Sequence, residues 1–175
     1  SPDGHSVVSG SWDATVVVWD ARTGRNFLTL IGHDLPVNSV AISHDGTRIA
    51  SGGTDKTVIL WEAASGRELH RLSGHTNAVW CVRFSPNGKW IASGGLDDTV
   101  KIWDVVSGEE LRTMAGHSDL VSDISFSPDG KRIASAGGDG VVKVWDTGTG
   151  AELLTLEGHD GYVTSVAFHP DGRRL

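Results

Sequence analysis

Short apolar runs alternate with turn sequences along the whole chain of 175 residues. The runs are rich in Val, Ile, Thr and Trp, and the segments between them are rich in Gly, Asp, Asn and Pro. Runs of this kind, bounded by such turns, are typical of β-strands. One stretch of the chain predicts four strands in succession, at residues 37–42, 48–52, 57–61 and 67–72. Short consecutive strands joined by tight turns predict an antiparallel meander.

The same unit recurs with a step of 42 residues, and such a period is the mark of a repeat architecture. A Gly-His pair occurs at Gly32-His33, Gly74-His75, Gly116-His117 and Gly158-His159. A Trp followed by an acid occurs at Trp19-Asp20, Trp61-Glu62, Trp103-Asp104 and Trp145-Asp146. Turns with Asp or Asn before Gly occupy residues 1–4, 43–46, 85–88, 127–130 and 169–172. The chain is therefore one array of repeats without an insertion or a deletion.

With these markers the chain resembles the WD-repeat β-propeller family, whose period is about 40–45 residues. The resemblance implies an all-β fold, a β-propeller of four-stranded antiparallel blades. Their strands a, b, c and d would run outward from a central channel. In this interpretation residues 32–73, 74–115 and 116–157 are whole blades. Residues 1–31 supply strands b, c and d of a split blade, and residues 158–175 supply a strand a at 163–168.

The split blade predicts how the chain assembles. An unpaired inner strand leaves backbone N–H and C=O groups without partners, and each costs ~1–3 kcal/mol when buried. Propellers have about 4–8 blades, and the resemblance implies seven or eight as the usual number. The chain has four blade-equivalents, so we expect two copies to close an eight-bladed ring as a two-fold symmetric homodimer. Strand a of each copy would complete the split blade of the other.

A Ser, an Asp and a Trp follow the Gly-His histidine at spacings of 18, 22 and 28 residues. The sets are His33, Ser51, Asp55 and Trp61; His75, Ser93, Asp97 and Trp103; His117, Ser135, Asp139 and Trp145; and, across the split, His159 with Ser9, Asp13 and Trp19. Ser, His and Asp are the ingredients of acyl transfer, but a catalytic centre is not repeated in every blade. We predict a hydrogen-bonded scaffold in which Asp holds the imidazole and Ser accepts the indole N–H. The four residues also match the family's structural tetrad.

No metal or cofactor site is expected. Zinc ligands must converge on one ion, whereas equivalent histidines on blades that radiate from an axis lie far apart. The glycines fall in turns at the repeat period, so they do not predict a phosphate-binding loop. We therefore expect a protein that is not an enzyme.

Partner binding is expected where the sequence departs from its own repeat. Trp12 lies in a turn between strands b and c, Trp80 lies near the start of a strand a, and neither belongs to the Trp-acid series. Aromatic side chains anchor interfaces because they bury large areas with little loss of entropy. The candidate rim platform consists of Trp12, Trp80, Leu35, Leu96, Leu120 and Tyr162. The alternative is that these are scattered exposed apolar residues, which are normal on protein surfaces.

Composition narrows the class of partner. The formal net charge of -7 and the pI near 5.5 disfavour nucleic acid, whose phosphates attract clustered Lys and Arg. No apolar run is long enough to cross a bilayer, and the first residues do not resemble a signal peptide. The single cysteine, Cys81, cannot form an internal disulfide. We expect a cytoplasmic protein that binds neither nucleic acid nor membrane.

The expected function is a non-catalytic WD-repeat scaffold for protein–protein interaction that self-assembles into a closed propeller. Two alternatives stay open. One is a fragment of a longer natural or engineered propeller, with self-assembly as its only activity. The other is a sensory segment of a larger signalling protein.

Overall fold

The computed structural model describes residues 1–175 and consists of fifteen β-strands joined by turns and loops. The strands are β1 (Ser6–Gly10), β2 (Thr15–Asp20), β3 (Asn26–Ile31), β4 (Val37–Ile42), β5 (Arg48–Gly53), β6 (Thr57–Glu62), β7 (Glu68–Ser73), β8 (Val79–Phe84), β9 (Trp90–Gly95), β10 (Thr99–Asp104), β11 (Glu110–Ala115), β12 (Val121–Phe126), β13 (Arg132–Gly137), β14 (Val142–Asp146) and β15 (Glu152–Leu156). They form one three-stranded sheet, β1 to β3, and three four-stranded sheets, β4 to β7, β8 to β11 and β12 to β15. No helix of the kind that could span a membrane is present.

Chain order and spatial order coincide within every sheet, and all pairs of neighbouring strands are antiparallel. The first strands of the four-stranded sheets, β4, β8 and β12, lie beside one another. These strands form an inner wall, and the later strands of each sheet extend outward from it. The all-β, propeller-like arrangement that the sequence predicts is therefore confirmed.

The turn between the first two strands of each four-stranded sheet shows how local chemistry sets the strand ends. The hydroxyl of Ser43 donates to Oδ1 of Asp45 at 2.6 Å, and the same carboxylate oxygen accepts the N–H of Thr47 at 3.0 Å. Gly46 has a φ of 71°, a left-handed conformation that glycine adopts without steric cost. The next two sheets repeat these bonds. The first strand of each of these sheets therefore ends where side chains of the turn take up the backbone N–H groups that would otherwise pair with a neighbouring strand.

Each inner strand has a bulge near its start. Asn38 in β4 has no partner in the ladder with β5, and Trp80 in β8 and Ser122 in β12 have the same place. Asn38 uses its freed side chain to donate to the C=O of Val79 in the next sheet at 2.9 Å. The side chain of Trp80 makes no such bond and is exposed to solvent.

The hydrophobic core lies between neighbouring sheets. Leu60 and Leu72 of the second sheet pack against Val79, Ile91 and Trp103 of the third, and all five are buried. Clusters of the same design separate the first sheet from the second and the third from the fourth. Because one sheet cannot bury both of its faces alone, the fold depends on stacking.

The two outermost faces of this stack are apolar and open to solvent. Val7 on the first sheet is 53% exposed, whereas Ile49, which has the same place in the second sheet, is 0% exposed. Leu156 on the fourth sheet is 39% exposed, whereas the corresponding Leu72 is 2% exposed. Within one chain the four sheets thus form an open arc.

The expected strand at residues 163–168 is not a strand in the single chain. The segment nevertheless lies against the fourth sheet: the N–H of Val163 donates to the C=O of Gly137 at 3.1 Å, and that of Val166 donates to Oδ2 of Asp123 at 3.2 Å. A strand needs a hydrogen-bonded neighbour, and no backbone hydrogen bond joins this segment to β1. Strand formation at residues 163–168 was predicted in pairing with a second copy, so it stays a prediction.

Candidate functional site

A chain of hydrogen bonds links two strands, a loop and a turn of the second sheet. Nδ1 of His33 lies 2.8 Å from Oδ2 of Asp55, and Nε2 of His33 lies 2.8 Å from the Ser51 hydroxyl. The indole N–H of Trp61 donates to the same hydroxyl at 2.8 Å. These bonds connect the loop before β4 to β5, to β6 and to the turn between them.

The third and fourth sheets repeat this arrangement. In the third sheet, Nε2 of His75 lies 2.8 Å from Oγ of Ser93, Nδ1 lies 2.9 Å from Oδ2 of Asp97, and the indole N–H of Trp103 donates to Ser93 at 2.8 Å. In the fourth sheet, Nε2 of His117 lies 2.7 Å from Oγ of Ser135, Nδ1 lies 2.9 Å from Oδ2 of Asp139, and the indole N–H of Trp145 donates to Ser135 at 2.8 Å. The structure thus brings together, within one chain, three of the four sets that the spacing singles out.

All polar atoms of a set are paired when the imidazole is neutral and carries its proton on Nδ1. In that form His75 donates to Asp97, and its Nε2 accepts the O–H of Ser93. Burial lowers the pKa of His75, and the nearby charge of Asp97 offsets this only in part. Burial also acts to raise the pKa of Asp97, but His75 and the N–H of Thr76 outweigh it, so this pKa lies below its usual range. Near neutral pH the pair is therefore a carboxylate and a neutral imidazole.

The serines of these sets are closed to any substrate. Ser51, Ser93 and Ser135 are fully buried. Each hydroxyl already contacts an imidazole and an indole. A nucleophile needs space for a reacting atom about 3 Å away, together with donors for the charge that develops. At these positions the contacts of Ser, His and Asp hold the strands together, and the serine hydroxyls cannot reach a substrate.

A glycine packs closely against each set. A Cβ atom at Gly53 would lie 2.5 Å from Nδ1 of His33 and 2.6 Å from Oδ1 of Asp55. Gly95 and Gly137 have the same place in the next two sheets. The sequence pattern did not identify this requirement, because turn glycines recur at the same period for a different reason.

Only half of the corresponding set is assembled in the first sheet. The indole N–H of Trp19 donates to Ser9 at 2.8 Å. Asp13 accepts the N–H of Thr15 at 3.0 Å and its hydroxyl at 2.7 Å. His159 is exposed at the other end of the arc. The fourth set stays a prediction about two chains.

One rim of the arc carries exposed aromatic and aliphatic side chains. The exposed fractions are 86% for Trp12, 69% for Tyr162, 47% for Leu35 and 45% for Trp80. Leu96 and Leu120 are partly buried. The turn of Trp12 adjoins the loop of Leu35, because the N–H of Val37 donates to the C=O of Ser11 at 2.9 Å. Tyr162 follows the fourth sheet, so one chain does not unite the six residues in a single patch.

A charged pair breaks the repeat on the inner wall. Nη2 of Arg83 in β8 lies 2.6 Å from Oδ1 of Asp123 in β12. Oδ2 of Asp123 also accepts the hydroxyl of Ser165 at 2.8 Å. Both side chains line a cavity of about 670 Å³, and Asp123 holds the segment at 163–168 through its bonds to Ser165 and Val166. The matching positions in β4 are Ala41 and Ser39, so departure from the repeat was the signal available in the sequence.

The single thiol of the chain, that of Cys81, is free and buried. Burial raises the pKa of the Cys81 thiol to about 12, so the thiol stays protonated in the fold. The structure places no group of three or more His, Cys, Asp or Glu side chains where they could hold a metal ion.

Comparison with known protein families gives a match along almost the whole chain. The matching family is described as WD domain, G-beta repeat, and it covers residues 1–20, 24–62, 66–104, 108–146 and 150–175. Each full match runs from the outermost strand of one sheet through the first three strands of the next. Comparison with curated proteins gave no match.

Proposed function

The chain belongs to the WD-domain, G-beta repeat family, and on this premise we propose that it is a non-catalytic scaffold for protein–protein interaction. The observation that carries the proposal is the exposure of Trp80 and Leu35 on one rim. Exposed aromatic side chains on a rigid surface are the usual anchors of protein interfaces.

The rim is suited to binding because its loops are held in place before a partner arrives. The bonds of His33 and His117 fix the loops that carry Leu35 and Leu120, and those of His75 fix the loop that leads to Trp80. Preorganised loops bind at a lower entropic cost. The net charge of -7 makes a protein or peptide a better partner than nucleic acid.

We also propose that two copies close one eight-bladed ring. This proposal is supported by the two open faces of the arc, because they match the two sides of an intact interface between sheets. Val7 and Trp19 occupy the positions that pack against the preceding sheet at every intact interface. Leu156 occupies the position that packs against the following sheet, as Leu30, Leu72 and Met114 do. The open faces of the first and fourth sheets are therefore two halves of one kind of interface.

The register of such a junction follows from the intact sheets. Val40 pairs with Ser51 across β4 and β5. The same place in the repeat pairs Val166 of one copy with Ser9 of the other. His159 would then reach Ser9 and complete the fourth set between chains.

Light scattering on a sizing column, at several protein concentrations, tests the ring. We expect a mass of twice the 18.5 kDa of one chain. A monodisperse monomer at every concentration would overturn the homodimer.

Selection of peptides from a random-sequence library on the immobilised chain tests the rim. Trp80→Asn restores the residue type found at Asn38, so it should leave the fold intact and weaken the selected peptides at least about tenfold. Equal binding to both proteins would contradict the rim assignment. A dimer that selects no peptide would favour self-assembly as the only activity.

The cellular compartment is a separate proposal. Cys81 is a free thiol, as is usual in reducing surroundings, and we place the protein in the cytoplasm. Fractionation of expressing cells would check this.

A further inference from the structure

Every four-stranded sheet has a backbone hydrogen bond between two rim loops. The bond joins the turn after the second strand to the loop before the first strand. In the three sheets, the N–H of Thr54 donates to the C=O of Pro36, that of Leu96 to Ala78 and that of Gly138 to Leu120, each at an N to O distance of 2.8 Å. At the same place in the repeat, the split blade would join the N–H of Trp12 to the C=O of Tyr162.

Neither group has such a partner within one chain. The N–H of Trp12 and the C=O of Tyr162 make no backbone hydrogen bond, and both side chains are largely exposed. The intact sheets have only aliphatic or small residues at these two positions. The one place where both positions are aromatic is thus the place where two chains would meet.

We propose that Trp12 of one copy and Tyr162 of another form an aromatic contact across the junction, and that its occupant is a second copy of this chain. The inference rests on the self-association proposed above. Residues joined by such a backbone bond have Cα atoms roughly 5–6 Å apart. Aromatic rings interact at centroid distances of about 4.5–7 Å, so the two rings are within reach of each other.

A second copy fits this place better than an unrelated protein does. The repeat fixes a backbone acceptor for Trp12, and the loop that supplies it continues into the segment 163–168. That segment is already held on the fourth sheet by Asp123. One copy therefore presents the loop, the tyrosine and the strand together, in the spacing that each intact sheet uses.

The test measures the dimer dissociation constant by sedimentation over a dilution series. Trp12→Thr and Tyr162→Leu introduce residue types that the intact sheets carry at the same places. An aromatic pair is worth about 2- to 12-fold in a dissociation constant. The contact occurs twice in the ring, so each variant should raise the constant about 5- to 150-fold. Val106→Ala is the control: it trims an exposed apolar side chain in the third sheet, away from the junction, to the residue type found at Ala64, and it should leave the constant unchanged.

The double variant decides whether the two residues act together. If they form one contact, Trp12→Thr has little further effect in the Tyr162→Leu background. If the wild type is a dimer and both single variants have the same dissociation constant as the wild type, the aromatic contact is overturned but the dimer is not. A wild-type chain that stays monomeric would overturn both proposals. Circular dichroism of each variant checks that the sheets are intact.

Discussion

The indole N–H of Trp103 donates to the hydroxyl of Ser93 at 2.8 Å, across the neighbouring strands β10 and β9. The same hydroxyl lies 2.8 Å from Nε2 of His75 in the loop before β8. A single oxygen atom thereby joins two strands and a rim loop. This connection is internal to the sheet, and it explains why the set recurs wherever a sheet must be held in shape.

Ser93→Ala should destabilise the folded chain. The substitution leaves the indole N–H of Trp103 and Nε2 of His75 buried without partners, at about 1–3 kcal/mol for each group. Urea denaturation measures the change in the free energy of unfolding. Ser107→Ala, in an exposed turn, is the control and should change it by less than about 0.5 kcal/mol. A Ser93 variant as stable as this control would show that the hydrogen bonds contribute nothing.

His159→Ala and His117→Ala should separate assembly from folding. His117 is buried and bonded to Ser135 and Asp139, so its loss should lower the free energy of unfolding. His159 is exposed in the single chain, so its loss should weaken association and leave the monomer's stability almost unchanged. Sedimentation and denaturation at low protein concentration measure the two effects. Equal effects of both variants on association would count against the split blade.

Gly53→Ala should disturb the second sheet although it adds only one methyl group. The new Cβ would lie 2.5 Å from His33 and 2.6 Å from Asp55, so the pair has to move. Overpacking of this kind costs about 1–3 kcal/mol. Gly148→Ala is the matched control, because its added Cβ would meet only Asp146 Oδ1, at an ordinary contact distance of 3.5 Å. Thermal unfolding followed by circular dichroism compares the two, and equal midpoints would refute the close packing.

Acid should weaken the fold through His75. Its folded pKa is lowered by burial from an ordinary value of 6.5, so in acid the unfolded chain binds a proton that the folded chain does not. The free energy of unfolding should therefore be unaffected above pH 6.5 and should fall as the pH drops from there toward the lowered folded pKa. Asp97 acts only in stronger acid, since its ordinary pKa of 3.8 is lowered further.

Urea midpoints at about pH 7.5 and about pH 5.5 measure this dependence. His75→Gln removes the titrating group and should reduce the difference between the two midpoints. If the His75→Gln variant shows the same difference between its two midpoints as the wild type, the acid sensitivity belongs to other residues.

Much of the fold was predictable because short local segments determine it. The turn of Asp45 and Gly46 ends one strand and starts the next by bonds within five residues, and such chemistry is visible in a sequence. Repetition of the unit then identifies the family, which the family match confirms. The spacing of His33 and Asp55 likewise selected residues that the structure places in contact.

Features that depend on neighbours were harder to predict. Residues 163–168 have strand-forming character, but a ladder needs a second strand, which the single chain does not bring to it. The pair of Arg83 and Asp123 arises where two strands lie side by side, and the repeat gives no precedent for it. Val7 and Ile49 share one place in the repeat and differ in burial only because of what stacks on them.

The open faces of the arc link the stability of the fold to the concentration of the protein. Repeat arrays stay soluble as single molecules when their end units have polar outer faces, but Val7 and Leu156 give these faces the character of an interior. Any copy that covers them binds the folded chain and not the unfolded one, so it shifts the unfolding equilibrium toward the fold. In the proposed ring, the midpoint of thermal unfolding therefore rises with the concentration of the protein itself.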